Sequence, residues 1–97
     1  MSEIRYVDPR ELRVPHSRLG ADPVKLRWQI SRFGSSAAGM PPLFVYEGTD
    51  GVLCIYNGVT RATRIAKFSP GTLVPVEIGG RLLRAFGKDP KIGDLLP

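Results

Sequence analysis

The run Asn57-Gly58-Val59-Thr60-Arg61-Ala62-Thr63-Arg64 holds the residue types in this chain best suited to chemistry on an anion. It stands where an apolar strand ending in Ile55-Tyr56 gives way to a helix-forming stretch, and the first amides of a helix have no partner within it. Those N–H groups, with the partial positive charge of the helix dipole, form a seat for phosphate oxygen. Gly58 has no Cβ to hold a ligand away, and Thr60 and Thr63 carry hydroxyl donors. Arg61 and Arg64, three residues apart, fall on one helical face, from which their guanidiniums can converge on a phosphate. The expected phosphate- or nucleotide-binding set is therefore Asn57, Gly58, Thr60, Arg61, Thr63 and Arg64.

The other reactive residues form no second set. His16, the only histidine, stands in a polar, proline-bounded loop and reads as a surface residue. Cys54, the only cysteine, has no second thiol for a disulfide or zinc, and its mid-strand place makes it a small buried hydrophobe. Glu47 and Asp50 are confined to a hairpin turn, and Asp22, Glu77, Asp89 and Asp94 are scattered along the chain. No carboxylate constellation for hydrolysis is visible in them, no metal ligands are expected, and no catalytic residue is assigned. Ten of the fourteen basic residues are arginines, and against nine acids they leave a net charge of +5, which tilts the partner towards a nucleotide or nucleic acid. No stretch approaches the roughly 20 apolar residues that span a bilayer, and Met1-Ser2-Glu3-Ile4-Arg5 lacks the apolar run of a secretory signal. A cytoplasmic protein with no membrane partner is expected, of undetermined oligomeric state.

Several elements must position the candidate site. With 97 residues and 42% hydrophobic content, the chain supports one core, hence one domain over 1–97 with a body at 4–78 and an arm at 79–97. Ile4–Val7 reads as a strand and Glu11–Val14 as a further extended piece. Asp22 as N-cap and Pro23 at the first helical position start a helix that runs to Phe33 and ends on Gly34. Its core stripe is Leu26, Ile30 and Phe33, broadened by Val24 and Trp28, with Lys25, Arg27, Gln29 and Arg32 towards water; Trp28 could also serve as a stacking platform for a base, but core is the expected place of a Trp in such a helix. The small-residue loop from Ser35 to Met40 is either a plain connector or a segment able to approach a ligand closely. Pro41-Pro42 leads into a strand at Leu43–Tyr46, and Asp50-Gly51 turns it into an antiparallel partner at Val52–Tyr56. The helix from Thr60 buries Ala62, Ile65 and Ala66 and leaves Arg61, Arg64 and Lys67 outside. Leu73–Ile78 is a strand that Pro75 places at an edge or bulge, Arg81–Phe86 is a turn or two of helix, and 88–97 is a docking arm or a flexible end.

In this order the pieces resemble the ParB N-terminal domain and sulfiredoxin superfamily over residues 4–78. The resemblance implies an α+β fold, a small mixed sheet of about four or five short strands with two or three packed helices. ParB relatives use a Gly-x-x-Arg box, with a proline leading into the preceding strand, to hold the phosphates of a nucleotide such as CTP with magnesium. Gly58 and Arg61 match the box and Pro42 matches the proline, so Pro42 joins the expected set and a nucleotide with magnesium is the cofactor that the resemblance admits. Between the box residues stand Val59 and Thr60, where ParB commonly has Glu and Arg; Thr60 can still donate a hydrogen bond, and Arg64 can replace the missing charge. In sulfiredoxin the box is Gly-Cys-His-Arg, and Val59 takes the place of the nucleophilic cysteine, so thiol chemistry is not expected. The helix-turn-helix domain that follows in chromosome-segregating ParB proteins has no room in 97 residues, and centromere binding in isolation is not expected either. The leading expectation is a stand-alone ParB-like domain that binds a phosphate group of a nucleotide or nucleic acid at the junction 57–64. A ParB-like nuclease, another nucleotide-processing enzyme or a toxin domain is the alternative, and a non-catalytic protein-interaction domain is the second.

Overall fold

In a computed structural model of the chain, the described residues are 3–15, 22–34, 36 and 39–96. His16, and Ser35, Ala37 and Ala38 of the small-residue loop, lie outside them. The elements are β1 (Glu3–Val7), α1 (Pro23–Phe33), β2 (Leu43–Glu47), β3 (Leu53–Asn57), α2 (Val59–Phe68) and β4 (Val74–Arg81), with short 3-10 turns at Pro9–Glu11 and Ile92–Leu95. The four strands form one sheet in the order β1-β4-β2-β3. Its β1–β4 and β2–β3 pairs are antiparallel and its β2–β4 pair is parallel, so this is a small α+β domain with a mixed sheet and two α-helices.

Alternation with a period of two decides which side of the sheet is covered. Leu43 and Val45 of β2 are buried beside Val74, Val76 and Ile78 of β4, and the register Leu43↔Val76, Val45↔Ile78 aligns them in rows on one face. The parallel pairing needs a crossover, and the chain makes it through β3 and α2. α2 buries Ala62, Ile65 and Ala66 in the same cluster, as its spacing predicts, and the alanines let the helix approach closely.

Several expectations are corrected. β4 lies inside the sheet, not at an edge: Pro75 pairs with Tyr6 of β1, one residue before the register with β2 begins at Val76. β4 also continues to Arg81, so no helix forms over Arg81–Phe86. Leu82 N–H instead donates to Glu47 O at 2.9 Å, and Phe86 is fully buried, a core residue that its polar, glycine-bounded surroundings conceal. Of the two readings of the tail, docking is the one observed: Val14 N–H donates to Pro90 O and Ile92 N–H to Leu12 O, both at 2.8 Å, and Ile92 is buried. The stretch 11–14 is part 3-10 turn and part isolated bridge, with Arg13 linked to both Cys54 and Lys91. In α1 only Leu26 is buried, while Val24, Trp28 and Phe33 are exposed. Among the elements, the helix packs mainly against α2. No helix among the described residues is long and apolar enough to cross a membrane.

Candidate functional site

β3 ends at Asn57, and Gly58 turns the chain into α2 with φ +104°, a left-handed conformation that disfavours residues with a Cβ. The first intrahelical bond runs from Ala62 N–H to Gly58 O at 2.9 Å, and no side chain caps the helix. The amides of Val59, Thr60 and Arg61 therefore have no intrahelical acceptor. The start of α1 differs: the Asp22 carboxylate accepts from Val24 N–H at 2.8 Å and Lys25 N–H at 3.4 Å. These two helix N-termini flank one open cleft of about 390 Å³, with Asp22, Lys25 and Gln29 on one wall and residues 57–61 on the other.

Arg61 folds back over Gly58. A Cβ on that glycine would lie 2.8 Å from Arg61 Nη2 and 2.5 Å from Leu43 Cδ2, so glycine is required both by φ and by space. Arg61 Nη1 donates to Pro41 O at 2.9 Å, and among the described residues the guanidinium forms no ion pair. Burial lowers its pKa, the sign of a charge partly withdrawn from water with no counterion supplied by the fold.

The expected site residues separate into two groups. Asn57, Gly58, Thr60 and Arg61 meet at the cleft. Thr63 and Arg64 do not: Thr63 is buried and its hydroxyl donates to Val59 O at 2.8 Å. Arg64, expected outside, is only 2% exposed. Its Nη1 donates to Gly34 O at 3.0 Å and Ser36 O at 2.7 Å, and its guanidinium carbon lies 5.3 Å from the centre of the Phe33 ring. The carbonyls at the end of α1 attract this cation, so it ties α1 to α2; Arg64 lines not the cleft but a smaller pocket beside it, together with Arg61. Pro42 does not line the cleft; its neighbour Pro41 supplies the carbonyl that holds Arg61.

Sequence reasoning missed Lys25 and Gln29 as cleft residues. With Asp22 they recur at helical spacing, which marks a face, but only the packing of α1 on α2 turns that face towards Gly58. Gln29 Oε1 is buried and has no hydrogen-bond partner among the described residues, and Gln29 lines both the cleft and the smaller pocket of about 100 Å³ that Phe33, Met40, Pro41, Arg61 and Arg64 help to form.

For the magnesium ion that the family resemblance admits, Asp22 is the one carboxylate among the described residues that lines the cleft, and its Oδ1 already accepts two amides, so the protein would offer at most that one carboxylate and the remaining ligands would come from phosphate and water. The Cys54 thiol is fully buried, and burial, with a smaller contribution from Asp89, pushes its pKa to about 11 although Arg84 pulls the other way, so it is protonated and shielded. Comparison with protein-family models and with curated proteins gives no match to this chain.

Proposed function

We propose that this protein is a ParB-like module that binds a phosphate group of a nucleotide or nucleic acid in the cleft at the start of α2. One observation carries the reading: a partly desolvated arginine with no counterion among the described residues lies over an uncapped helix N-terminus, inside a cleft open to a ligand. A phosphate there accepts from the amides of residues 59–61 and from Arg61, with Thr60 and Lys25 in reach on either side. The order of strands, helices and the Gly58-x-x-Arg61 box supports the ParB-like assignment. No group of three or more His, Cys, Asp or Glu that could hold a metal ion lies among the described residues.

Calorimetric titration with pyrophosphate and with nucleoside triphosphates tests this. Arg61→Ala is expected to weaken binding by about tenfold or more, the scale of a lost charge-assisted hydrogen bond. Equal affinity in the variant, or no binding of any phosphate ligand to the natural protein, refutes the proposal.

A further inference from the structure

Neither α-helix contains an acid, and together they carry Lys25, Arg27, Arg32, Arg61, Arg64 and Lys67. None of these six forms an ion pair among the described residues, whereas five of the seven described cations off the α-helices, Arg5, Arg10, Arg81, Arg84 and Lys91, each hold a carboxylate, Arg13 and Lys88 being the exceptions. The only tryptophan stands on the same layer. Trp28 is 61% exposed, beside exposed Val24, with Phe33 edge-on at 6.3 Å and the Arg32 guanidinium 5.9 Å from its ring centre. Lys25 and Gln29 line both the cleft and a shallow hollow formed with Val24 and Trp28, so one basic surface runs from Gly58 to the indole.

We infer that this surface binds single-stranded nucleic acid, with a backbone phosphate in the cleft and a neighbouring base stacked on Trp28. The inference rests on the phosphate reading of the cleft and names its ligand class. Every base offers a π face to an exposed indole, while a positive groove follows the backbone without reading sequence. A duplex hides those faces in its own stack, so single strands are preferred. A basic helix with exposed Trp and Phe also suits an anionic bilayer, but the uncapped amides and Arg61 lie in a recess, which a phosphodiester enters and a flat membrane surface does not.

Because Trp28 is the only tryptophan, its fluorescence reports on this position alone. The protein is titrated with an oligothymidylate of about ten nucleotides, a length within known single-strand site sizes, and separately with pyrophosphate, with a duplex and with phosphatidylserine vesicles. The oligonucleotide is expected to quench Trp28. In Trp28→Ala its affinity, read by anisotropy of a labelled strand, is expected to fall about tenfold, the scale of one lost base stack, and to recover largely in Trp28→Phe. Pyrophosphate affinity should be the same in Trp28→Ala as in the natural protein, and duplex should bind more weakly than single strand. Pyrophosphate binding without oligonucleotide quenching, or unchanged oligonucleotide affinity in Trp28→Ala, overturns this inference and leaves the phosphate seat standing. Failure of both ligands to bind overturns both. A blue shift with vesicles and none of the oligonucleotide effects assigns the face to a membrane and overturns the inference too.

Discussion

Replacing Arg64 by alanine should damage the fold and spare the cleft, the reverse of what a spacing of three residues from Arg61 suggests. Arg64 Nη1 makes two charge-assisted bonds, to Gly34 O at 3.0 Å and Ser36 O at 2.7 Å. Each such bond is worth about 1.5–3 kcal/mol, but both acceptors belong to exposed residues where water can replace the donor, so together they contribute about 2 kcal/mol. The covered methylene stem adds about 2 kcal/mol, and the contact with Phe33 adds about 0.5–1 kcal/mol. Against this stand the desolvated charge and a buried Nε with no partner among the described residues, whose removal returns about 1–2 kcal/mol. The net loss is about 2–4 kcal/mol, or about 10–25 °C in Tm for a domain of this size. Urea and thermal unfolding followed by circular dichroism measure it. At a temperature where the variant is folded, its pyrophosphate affinity should match that of the natural protein. Arg61→Ala should do the opposite, losing affinity with under about 1 kcal/mol of stability, because its one described hydrogen bond is to Pro41 O. A destabilisation below about 1 kcal/mol for Arg64→Ala, or a loss of affinity as large as that of Arg61→Ala, refutes the division of labour between the two arginines.

Gly58→Ala places a Cβ 2.5 Å from Leu43 Cδ2 at φ +104°, and strain of about 1–2 kcal/mol with overpacking of about 1–3 kcal/mol should lower stability by about 2–5 kcal/mol. A urea midpoint within experimental scatter of the natural protein's would contradict this. Stability should also fall in alkali through Cys54. Its folded pKa of about 11 lies above the ordinary 9.0, so the unfolded chain loses the proton first, and the contribution is whole below 9.0 and lost as pH rises through the folded value. Urea midpoints should therefore drop more steeply above about pH 9 in the natural protein than in Cys54→Ala, and parallel curves would remove the effect.

Features set within a few residues are legible in the sequence. Asp22-Pro23 starts α1, Asp50-Gly51 turns the β2–β3 hairpin, and the alanine-rich stripe of α2 faces the core, each through chemistry local to its own element. Features that depend on pairing between distant elements are not. Arg64 finds its acceptors 28 and 30 residues away, so nothing near it in the chain separates it from Arg61. Trp28 carries the hydrophobicity of a core residue, yet it stands exposed on a helix whose main packing partner is α2. Pro75 argues for an edge, yet β1 and β2 enclose the strand, because the register with β2 starts just after the proline. Half of the cleft, from Asn57 to Arg61, is legible as a strand-to-helix junction. The other half, Lys25 and Gln29, depends on the packing of one helix on the other.

The phosphate seat at the start of α2 is tested most directly by an amide titration in two-dimensional NMR, with pyrophosphate added to the labelled protein. Saturable shifts are expected, centred on Gly58, Val59, Thr60 and Arg61 and extending to Lys25 and Gln29 across the cleft, with Thr63 and Arg64 little affected. Shifts absent from those amides, or centred on the buried face of α2, would contradict it.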